Sequence, residues 1–343
     1  MRIIITGGSG FIGSNLILYL HGRYPDMQIM NLDKLTYASD PSNLAELKSS
    51  SRYYFKKLDL VHRDAVQDAV QTFKPDGVIH LAAESHVDNS IKGPEPFVQS
   101  NVVGTFNILD ECRRFWMDSK EGLAHYRFHH VSTDEVYGSL GAEGYFTEET
   151  PFAPNSPYSA TKAGSDMLVR AYFHTYGMNV VTTNCSNNYG RFQHDEKLIP
   201  TVIRNAYRKS PIPVYGKGEN IRDWLHVSDH CSAIDLVYRN GKAGETYNVG
   251  GHNEWKNLDL VHAICSIMND VVGDGPDGDY TNLIQFVTDR PGHDLRYAID
   301  PTKIERDLGW RHQGSFEQHL RETILWYVDK YRSQEEALNQ DGN

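Results

Sequence analysis

The chain has 343 residues and carries 34 Lys and Arg against 45 Asp and Glu, a formal net charge of −11. This length corresponds to one large domain or two moderate ones, and it is enough to bury a core without a disulfide or metal staple. The acidic balance argues against nucleic acid or an anionic membrane surface as the main partner, because the average surface would repel both.

Short β-branched runs alternate with longer amphipathic stretches through the first half of the chain. Strands are predicted at 3–6, 28–33, 53–57, 77–81, 128–132 and 180–185. Helices are predicted at 11–24, 64–73, 96–116 and 158–176. This alternation is typical of the α/β class and predicts a Rossmann-type, doubly wound parallel sheet, since each right-handed crossover lays a helix on the sheet.

The alternation breaks down after about residue 190, where prolines and glycines separate shorter elements. We therefore predict a sheet domain over 1–190, with a returning strand near 227–250, and a smaller, interleaved C-terminal lobe over 191–330. Residues 333–343 are polar and are predicted to form a frayed tail.

Cysteine usage and the N-terminus bear on the cellular compartment. The four cysteines include no Cys-x-x-Cys pair, which favours free thiols. The apolar run at 3–5 is too short for a signal sequence or a membrane span, so a cytoplasmic location is expected.

The sixteen histidines do not indicate a metal site. His129 and His130 are neighbours on a predicted strand and therefore point to opposite faces of the sheet. No cluster of His, Cys and carboxylate residues has zinc-ligand spacing. We predict no bound metal.

A glycine-rich turn stands between the first predicted strand and helix. Gly8, Gly10 and Gly13 satisfy the G-x-G-x-x-G pattern, which lets a pyrophosphate approach the amides at a helix N-terminus. Asp33 ends the second predicted strand, where a carboxylate can accept from ribose hydroxyls and favours NAD over NADP. The alternative is a tight turn that binds nothing.

Tyr158 and Lys162 lie four residues apart, on one face of a predicted helix. An ammonium beside a phenol lowers the phenol pKa from about 10 towards neutrality, so that the tyrosine can take a proton from a substrate hydroxyl. The alternative is a solvated helix face.

The segment Ser-Thr-Asp-Glu-Val-Tyr-Gly, residues 132–138, follows a buried strand. Catalytic groups in open α/β sheets collect at the carboxyl ends of strands. Asp134 and Glu135 could divide into an acid and a base if their surroundings separate their pKa values. The alternative is that these acids only cap the following turn.

Together these motifs resemble the extended short-chain dehydrogenase/reductase family. The resemblance rests on 6–13, Asp33, 81–88, Tyr158 and Lys162. Within this family, segments 132–138, 185–190, 221–224 and 290–294 resemble the dTDP-glucose 4,6-dehydratases, whereas nucleotide-sugar epimerases lack the adjacent Asp-Glu pair. The match runs from residue 1 to about 331, and it is broken at Arg191 and Asp195, which stand where the family usually has proline.

The resemblance implies a dehydration in which NAD is reduced and reoxidised within one turnover. Tyr158 would take the C4 hydroxyl proton of the glucose as hydride leaves C4, with Lys162 holding Tyr158 and the nicotinamide ribose. Thr133 would hydrogen-bond the 4-keto oxygen. Glu135 would then remove the C5 proton, and a protonated Asp134 would donate to the departing C6 hydroxyl, before hydride returns to C6.

The resemblance also implies the binding residues. For NAD, held by the sheet domain, they are Gly7, Gly10, Phe11, Ile12, Gly13, Asp33, Lys34, Thr36, Asp59, Leu60, Ala82, Ser100, Tyr158, Lys162 and Asn188. For the nucleotide sugar, held mainly by the second lobe, they are Ser85, Thr133, Asn187, Lys197, Leu198, Pro213, Tyr215, Arg222, Asn257, Arg290 and His293. Among these, Lys197, Arg222 and Arg290 would face the diphosphate.

The resemblance further implies a homodimer, formed through the helices at 98–116 and 158–176. Three other functions stay open at this point. They are dehydration of UDP-glucose, 4-epimerisation of a nucleotide sugar, and a non-catalytic NAD-binding sensor.

Overall fold

The computed structural model describes residues 1–289 and 293–341. Within these ranges the strands are β1 (Arg2–Thr6), β2 (Gln28–Asp33), β3 (Tyr53–Lys57), β4 (Gly77–His80), β5 (Arg127–Thr133), β6 (Val180–Cys185), β7 (Asn187–Tyr189), β8 (Ile212–Tyr215), β9 (Ile221–His226), β10 (Thr246–Val249), β11 (Glu254–Lys256), β12 (Ile284–Val287) and β13 (Arg296–Tyr297).

The helices of the same residues vary from one turn to seven. They are α1 (Phe11–Arg23), α2 (Arg63–Phe73), α3 (Val87–Lys92), α4 (Glu95–Phe97), α5 (Gly104–Met117), α6 (Pro157–Tyr176), α7 (Leu198–Tyr207), α8 (Val227–Asn240), α9 (Asn257–Val272), α10 (Thr302–Leu308) and α11 (Phe316–Asp341). A π-helical segment, Val98–Val103, joins α4 to α5. Shorter 3₁₀ turns lie at Pro41–Leu47, Asp134–Tyr137, Pro276–Gly278 and Tyr280–Leu283.

The largest sheet has seven strands in the order β10-β6-β5-β4-β1-β2-β3. Every neighbouring pair in it is parallel. Helices cover both faces, so the inner strands are apolar throughout; Ile3, Ile4 and Ile5 of β1 are fully buried. The predicted doubly wound α/β fold is confirmed. Its strand order reverses at β1, between β2 and β4, which is where such sheets open a ligand crevice.

Most predicted elements of the first half are confirmed. Strands β2, β3 and β6 have the predicted bounds. The helix predicted at 96–116 is divided into α4, the π-helical segment and α5. Strand β10 pairs with β6 and supplies the returning strand that was expected near residue 250. The short helix α3 was not predicted.

The second half of the chain adds two small sheets. Strand β9 pairs with β7, β11 and β13, and β8 pairs with β12. Helices α7, α9 and α11 pack around a separate apolar cluster that includes Ile203, Ile264 and Tyr327. The prediction of a frayed tail is wrong over 333–341, because α11 continues to Asp341. In the described part of the chain, no helix has both the length and the apolar character needed to span a bilayer.

Candidate active site

A cleft opens at the carboxyl edge of the seven-stranded sheet, beside β1. Its walls come from the turn after β1, the loops after β2, β4, β5 and β6, and the first turns of α6. The residues predicted to bind NAD all line it: Gly7, Gly10, Phe11, Ile12, Gly13, Asp33, Lys34, Thr36, Asp59, Leu60, Ala82, Ser100, Tyr158, Lys162 and Asn188.

The glycine turn packs closely against backbone atoms at two positions. A Cβ on Gly13 would lie 2.2 Å from the Gly7 carbonyl oxygen, and one on Gly7 would lie 2.8 Å from the Ala82 backbone. Gly7 also has φ +70°, in the left-handed region. A Cβ on Gly10, by contrast, would have its nearest neighbour 3.4 Å away. The turn therefore brings the N-terminus of α1 against the cleft with room for a phosphate group.

Asp33 is buried and fixed at the end of β2. Its carboxylate accepts from the amides of Ser9 (2.9 Å) and Leu35 (2.8 Å) and from the Ser39 hydroxyl (3.1 Å). These donors hold the carboxylate at the rim of the cleft, where a ribose hydroxyl can donate to its remaining lone pairs.

Lys34 turns away from Asp33. Its ammonium pairs with Glu84 (2.8 Å) and donates to the Ser100 hydroxyl (2.6 Å). The Asp33 carboxylate would thus repel a 2′-phosphate, and the Lys34 ammonium would not offset this repulsion because it already pairs with Glu84. The turn and Asp33 together fit a dinucleotide with a free 2′-hydroxyl, as in NAD.

Tyr158 and Lys162 lie side by side on α6 at the floor of the cleft, 8% and 4% exposed. The Lys162 amine donates to the Val131 carbonyl at 2.9 Å. Burial raises the pKa of Tyr158 well above its usual value, and the negative charge of Glu135 adds to the effect. The expected lowering of the Tyr158 pKa is therefore wrong for this arrangement, because desolvation of the phenolate dominates.

Asp134 and Glu135 begin the 3₁₀ turn that follows β5, and the Thr133 hydroxyl caps this turn by accepting from the Glu135 amide (3.3 Å). Asp134 is 2% exposed. Its Oδ1 accepts from Thr133 (3.3 Å), and its Oδ2 has no hydrogen-bond partner among residues 1–289 and 293–341. Burial, then Glu135 and Asp223, raise the pKa of Asp134 well above its ordinary range. These surroundings favour the protonated form of Asp134.

The cleft thus gathers a buried carboxyl group with a raised pKa, a second carboxyl group, a phenol and an ammonium at the carboxyl edge of β5. All five predicted catalytic residues line it: Thr133, Asp134, Glu135, Tyr158 and Lys162. Such a set can move protons at neighbouring carbon and oxygen atoms of one ligand. Across the described ranges, no three His, Cys, Asp or Glu side chains are arranged to hold a metal ion.

Comparison with known proteins identifies the family. A family model described as GDP-mannose 4,6 dehydratase matches residues 4–323. A probable dTDP-glucose 4,6-dehydratase of Sinorhizobium fredii is 51% identical over 330 residues, which cover 96% of this chain and 93% of that protein. The dTDP-glucose 4,6-dehydratase of Escherichia coli is 48% identical, with 96% and 94% covered. The chain belongs to the dTDP-glucose 4,6-dehydratase family.

A solved structure agrees with this assignment. The dTDP-glucose 4,6-dehydratase of Streptomyces venezuelae, crystallised with NAD, superposes with a TM-score of 0.87 at 43% identity, covering 96% of this chain and 97% of that one. A UDP-glucose 4-epimerase of Thermotoga maritima reaches a TM-score of 0.84 at only 23% identity, covering 96% of this chain and 100% of that one. At this identity the comparison with the epimerase shows a likeness of fold alone.

The dehydratase motifs divide between the cleft and the second lobe. Of the predicted sugar-nucleotide residues, Ser85, Thr133, Asn187 and Lys197 line the cleft, and Lys197 donates to the Ser85 carbonyl (3.1 Å). The others lie beyond it: Leu198 at the start of α7, Pro213 and Tyr215 on β8, Arg222 on β9, Asn257 at the start of α9, and His293, which pairs with Asp289 at 2.6 Å. Arg290 lies outside the described residues.

Arg222 is buried rather than presented at the surface. Its guanidinium donates to the carbonyls of Ile221 (2.7 Å) and Asp294 (3.0 Å) and stacks over the Tyr297 ring at 4.2 Å. Its positive charge also reaches Asp134, whose pKa it lowers in part. Its role as a diphosphate ligand stays a prediction.

The two departures from the family pattern, Arg191 and Asp195, both fasten the loop after β7. Arg191 donates to the Asn15 side chain of α1 (3.0 Å), and the Asn15 amide donates back to the Arg191 carbonyl (3.0 Å). The Asp195 carbonyl accepts from Thr201 (2.7 Å) and Arg204 (3.1 Å) of α7. The loop is thereby tied to both lobes.

Sequence reasoning missed several residues of the cleft. Ser186, Gln193, His194 and Glu196 also line it. Ser186 follows the carboxyl end of β6 directly, so the rule that pointed to residues after β5 could have found it. The other three belong to the loop after β7, whose position depends on contacts with distant helices.

Proposed function

We propose that this protein dehydrates dTDP-glucose to dTDP-4-keto-6-deoxyglucose in a deoxysugar (rhamnose-type) pathway, and that its cofactor is NAD. The observation that carries the proposal is the pair of adjacent acids in different environments. Asp134 is buried and its pKa is raised, which favours its protonated form, while Glu135 beside it is only half-buried. An elimination needs one group to give a proton and another to take one, and this pair can supply both.

The roles that the family resemblance implies for these residues are compatible with their places in the cleft. Glu135 takes the proton at C5 of the sugar, and Asp134 gives its proton to the oxygen that leaves C6. The Thr133 hydroxyl donates to the 4-keto oxygen, which holds the sugar next to both acids. Bound NAD supplies the hydride acceptor and donor, together with a positively charged ring.

Tyr158 is the base for the C4 hydroxyl. Burial raises the pKa of this phenol even with Lys162 one turn away on the same buried helix face. The positively charged ring of bound NAD would favour the phenolate, and the Lys162 ammonium would add to that effect.

An activity assay tests the proposal. The protein is incubated with dTDP-glucose, UDP-glucose and GDP-sugars, and the 4-keto product is followed by its absorbance in alkali. We expect product from dTDP-glucose in preference to the others. The double variant Asp134→Asn/Glu135→Gln should keep its NAD and lose at least about 10²-fold in kcat, the contribution typical of general acid–base groups.

Glu148→Gln is the matched control. Glu148 is a half-buried acid that accepts from the Asn248 amide (2.8 Å) and does not line the cleft. Near-native dehydration by the double variant would refute the assignment. A product that keeps its C6 hydroxyl would identify an epimerase, and preference for UDP-glucose would change the nucleotide.

We further propose that the protein is a cytoplasmic homodimer. Exposed apolar side chains lie on α3, the π-helical segment and α6, namely Ile91, Val98 and Met167, each more than 40% exposed. An apolar surface across packed helices fits a second copy of the same surface. The four cysteines are free and buried, which suits a reducing compartment.

A further inference from the structure

One buried acid on the catalytic helix has no role in the proposed chemistry. Tyr158, Lys162 and Asp166 recur every four residues along one face of α6 and are 8%, 4% and 5% exposed. The first two line the cleft, and Asp166 lies one turn deeper. A carboxylate at this depth needs several partners to offset its desolvation.

Both oxygens of Asp166 bond to strand β5. Oδ1 lies 2.9 Å from His130 Nε2, and Oδ2 accepts from the Ser132 hydroxyl at 2.8 Å. Ser132 directly precedes Thr133, Asp134 and Glu135. The carboxylate therefore joins the helix that carries Tyr158 to the strand whose end carries the acid pair.

His130 is a neutral donor in this contact. It is fully buried, and desolvation followed by the charge of Lys162 lowers its pKa well below the ordinary range. A neutral imidazole 2.9 Å from a carboxylate donates through its protonated Nε2. Asp166 thus accepts from His130 and Ser132, as an ionised carboxylate does.

The charges around Asp166 are few. Burial raises the pKa of Asp166 to about 7, while Lys162, Ser132 and the Asn184 side chain of β6 lower it. Burial lowers the pKa of Lys162, and Asp166 is the larger of the two groups that oppose this effect, the other being Cys185 of β6. Two further titratable groups lie nearby: Tyr137, whose pKa Asp166 raises in part, and His80 of β4, which stacks on His130 at 5.5 Å and whose pKa is lowered by burial, His130 and Lys162.

We propose that Asp166 is a positioning residue of the reaction. Its carboxylate keeps Lys162 as an ammonium in the buried floor of the cleft and fixes α6 against β5, so that Tyr158 and the Asp134–Glu135 pair face the same sugar. This inference rests on the proposed function, since it assigns Asp166 an effect on that reaction.

The variant Asp166→Asn tests the charge while preserving the size of the side chain. We expect kcat to fall at least tenfold, with KM and NAD content changed less than threefold. The alkaline limb of the kcat–pH profile should move to lower pH, because Lys162 loses its proton more readily without the carboxylate. The control is Glu148→Gln, the half-buried acid that accepts from the Asn248 amide (2.8 Å) and does not line the cleft; it should keep the native profile.

Ser132→Ala provides a second measurement, which decides the matter if Asp166→Asn does not fold. Loss of the Ser132 hydrogen bond raises the pKa of Asp166, so the acid limb of kcat should move to higher pH. Native kcat and an unchanged pH profile in Asp166→Asn, or an unchanged acid limb in Ser132→Ala, would overturn the proposal. Failure of the wild-type protein to form the 4-keto product would instead refute the proposed function.

Discussion

At the scale of single residues, burial distinguishes the two adjacent carboxyl groups of the proposed acid–base pair. Asp134 and Glu135 are neighbours in sequence, but Asp134 is enclosed and also faces the charge of Asp223, which belongs to β9 of the second lobe. Both influences disfavour a charge on Asp134. The division of roles between two adjacent acids therefore depends on a residue 89 positions away along the chain.

This raised pKa predicts how Asp134 affects stability. An acid whose pKa is higher in the folded than in the unfolded protein destabilises the fold as pH rises above the unfolded value, about 3.9. Asparagine has no such ionisation. We expect Asp134→Asn to unfold at higher urea concentration than the wild type at pH 8, with a difference that shrinks as pH falls towards 4.

The exposed Asp26 offers the control for this measurement. Asp26→Asn should leave the pH dependence of the urea midpoint unchanged. Parallel stability curves for Asp134→Asn and the wild type between pH 5 and pH 8 would show that Asp134 is not held protonated.

At the scale of elements, each functional group lies where a strand or helix begins or ends. The turn between β1 and α1 presents amides, the turn after β5 presents two acids, and the first turns of α6 present Tyr158 and Lys162. Helix α6 starts with a capping box in which Ser156 and Ser159 accept from each other's amides (3.1 and 3.0 Å). Satisfied end groups hold the start of α6 in one position beside the acids.

The glycine turn allows a matched pair of substitutions in one helix. Gly13→Ala would bring a Cβ to 2.2 Å from the Gly7 carbonyl, so the turn must shift, and we expect at least a tenfold loss of NAD affinity. Gly22 lies in the last turn of the same helix, and a Cβ added there would meet no atom within 4 Å. Gly22→Ala should therefore keep NAD and stabilise the protein by about 0.4–1 kcal/mol. Equal NAD content in both purified variants would contradict this account of the turn.

At the scale of the whole molecule, the negative charge of the surface and the chemistry of the cleft are independent. The net charge of −11 sets the average potential of the surface, whereas the glycine turn and Lys197 set the local potential inside the cleft that they line. The loop after β7 connects the sheet to the second lobe through Arg191 and Asp195. Anionic ligands are thus compatible with an acidic protein, because local amides and cations determine their binding.

The proposed dimer makes a prediction at this scale. Met167→Glu places a charge in the exposed apolar surface of α6, and we expect it to shift the protein from dimer to monomer in light scattering after gel filtration. Leu325→Glu is the control, because Leu325 is a 41% exposed leucine on α11, which packs on α7 and α9 instead. A wild-type monomer, or a Met167→Glu dimer as stable as the wild type, would refute the interface.

The sequence alone determined the alternation of strands and helices in the first half of the chain and the glycine turn. These features depend on local periodicity and on the steric demands of glycine, which act over a few residues. Local composition gave the wrong prediction for the tail. The polar residues at 333–341 are helical because they continue α11, whose earlier turns pack on the second lobe.

Only the tertiary structure decided the electrostatics of the site. Asp223 approaches Asp134, and Glu84 forms an ion pair with Lys34. Tyr158 is buried so deeply that its pKa is raised, whereas the spacing of Tyr158 and Lys162 predicted a lowered pKa. Burial and pairing depend on segments far apart in the chain, and desolvation outweighs the effect of any single neighbour. For this reason the sequence could indicate candidate catalytic residues but not the surroundings that shift their pKa values.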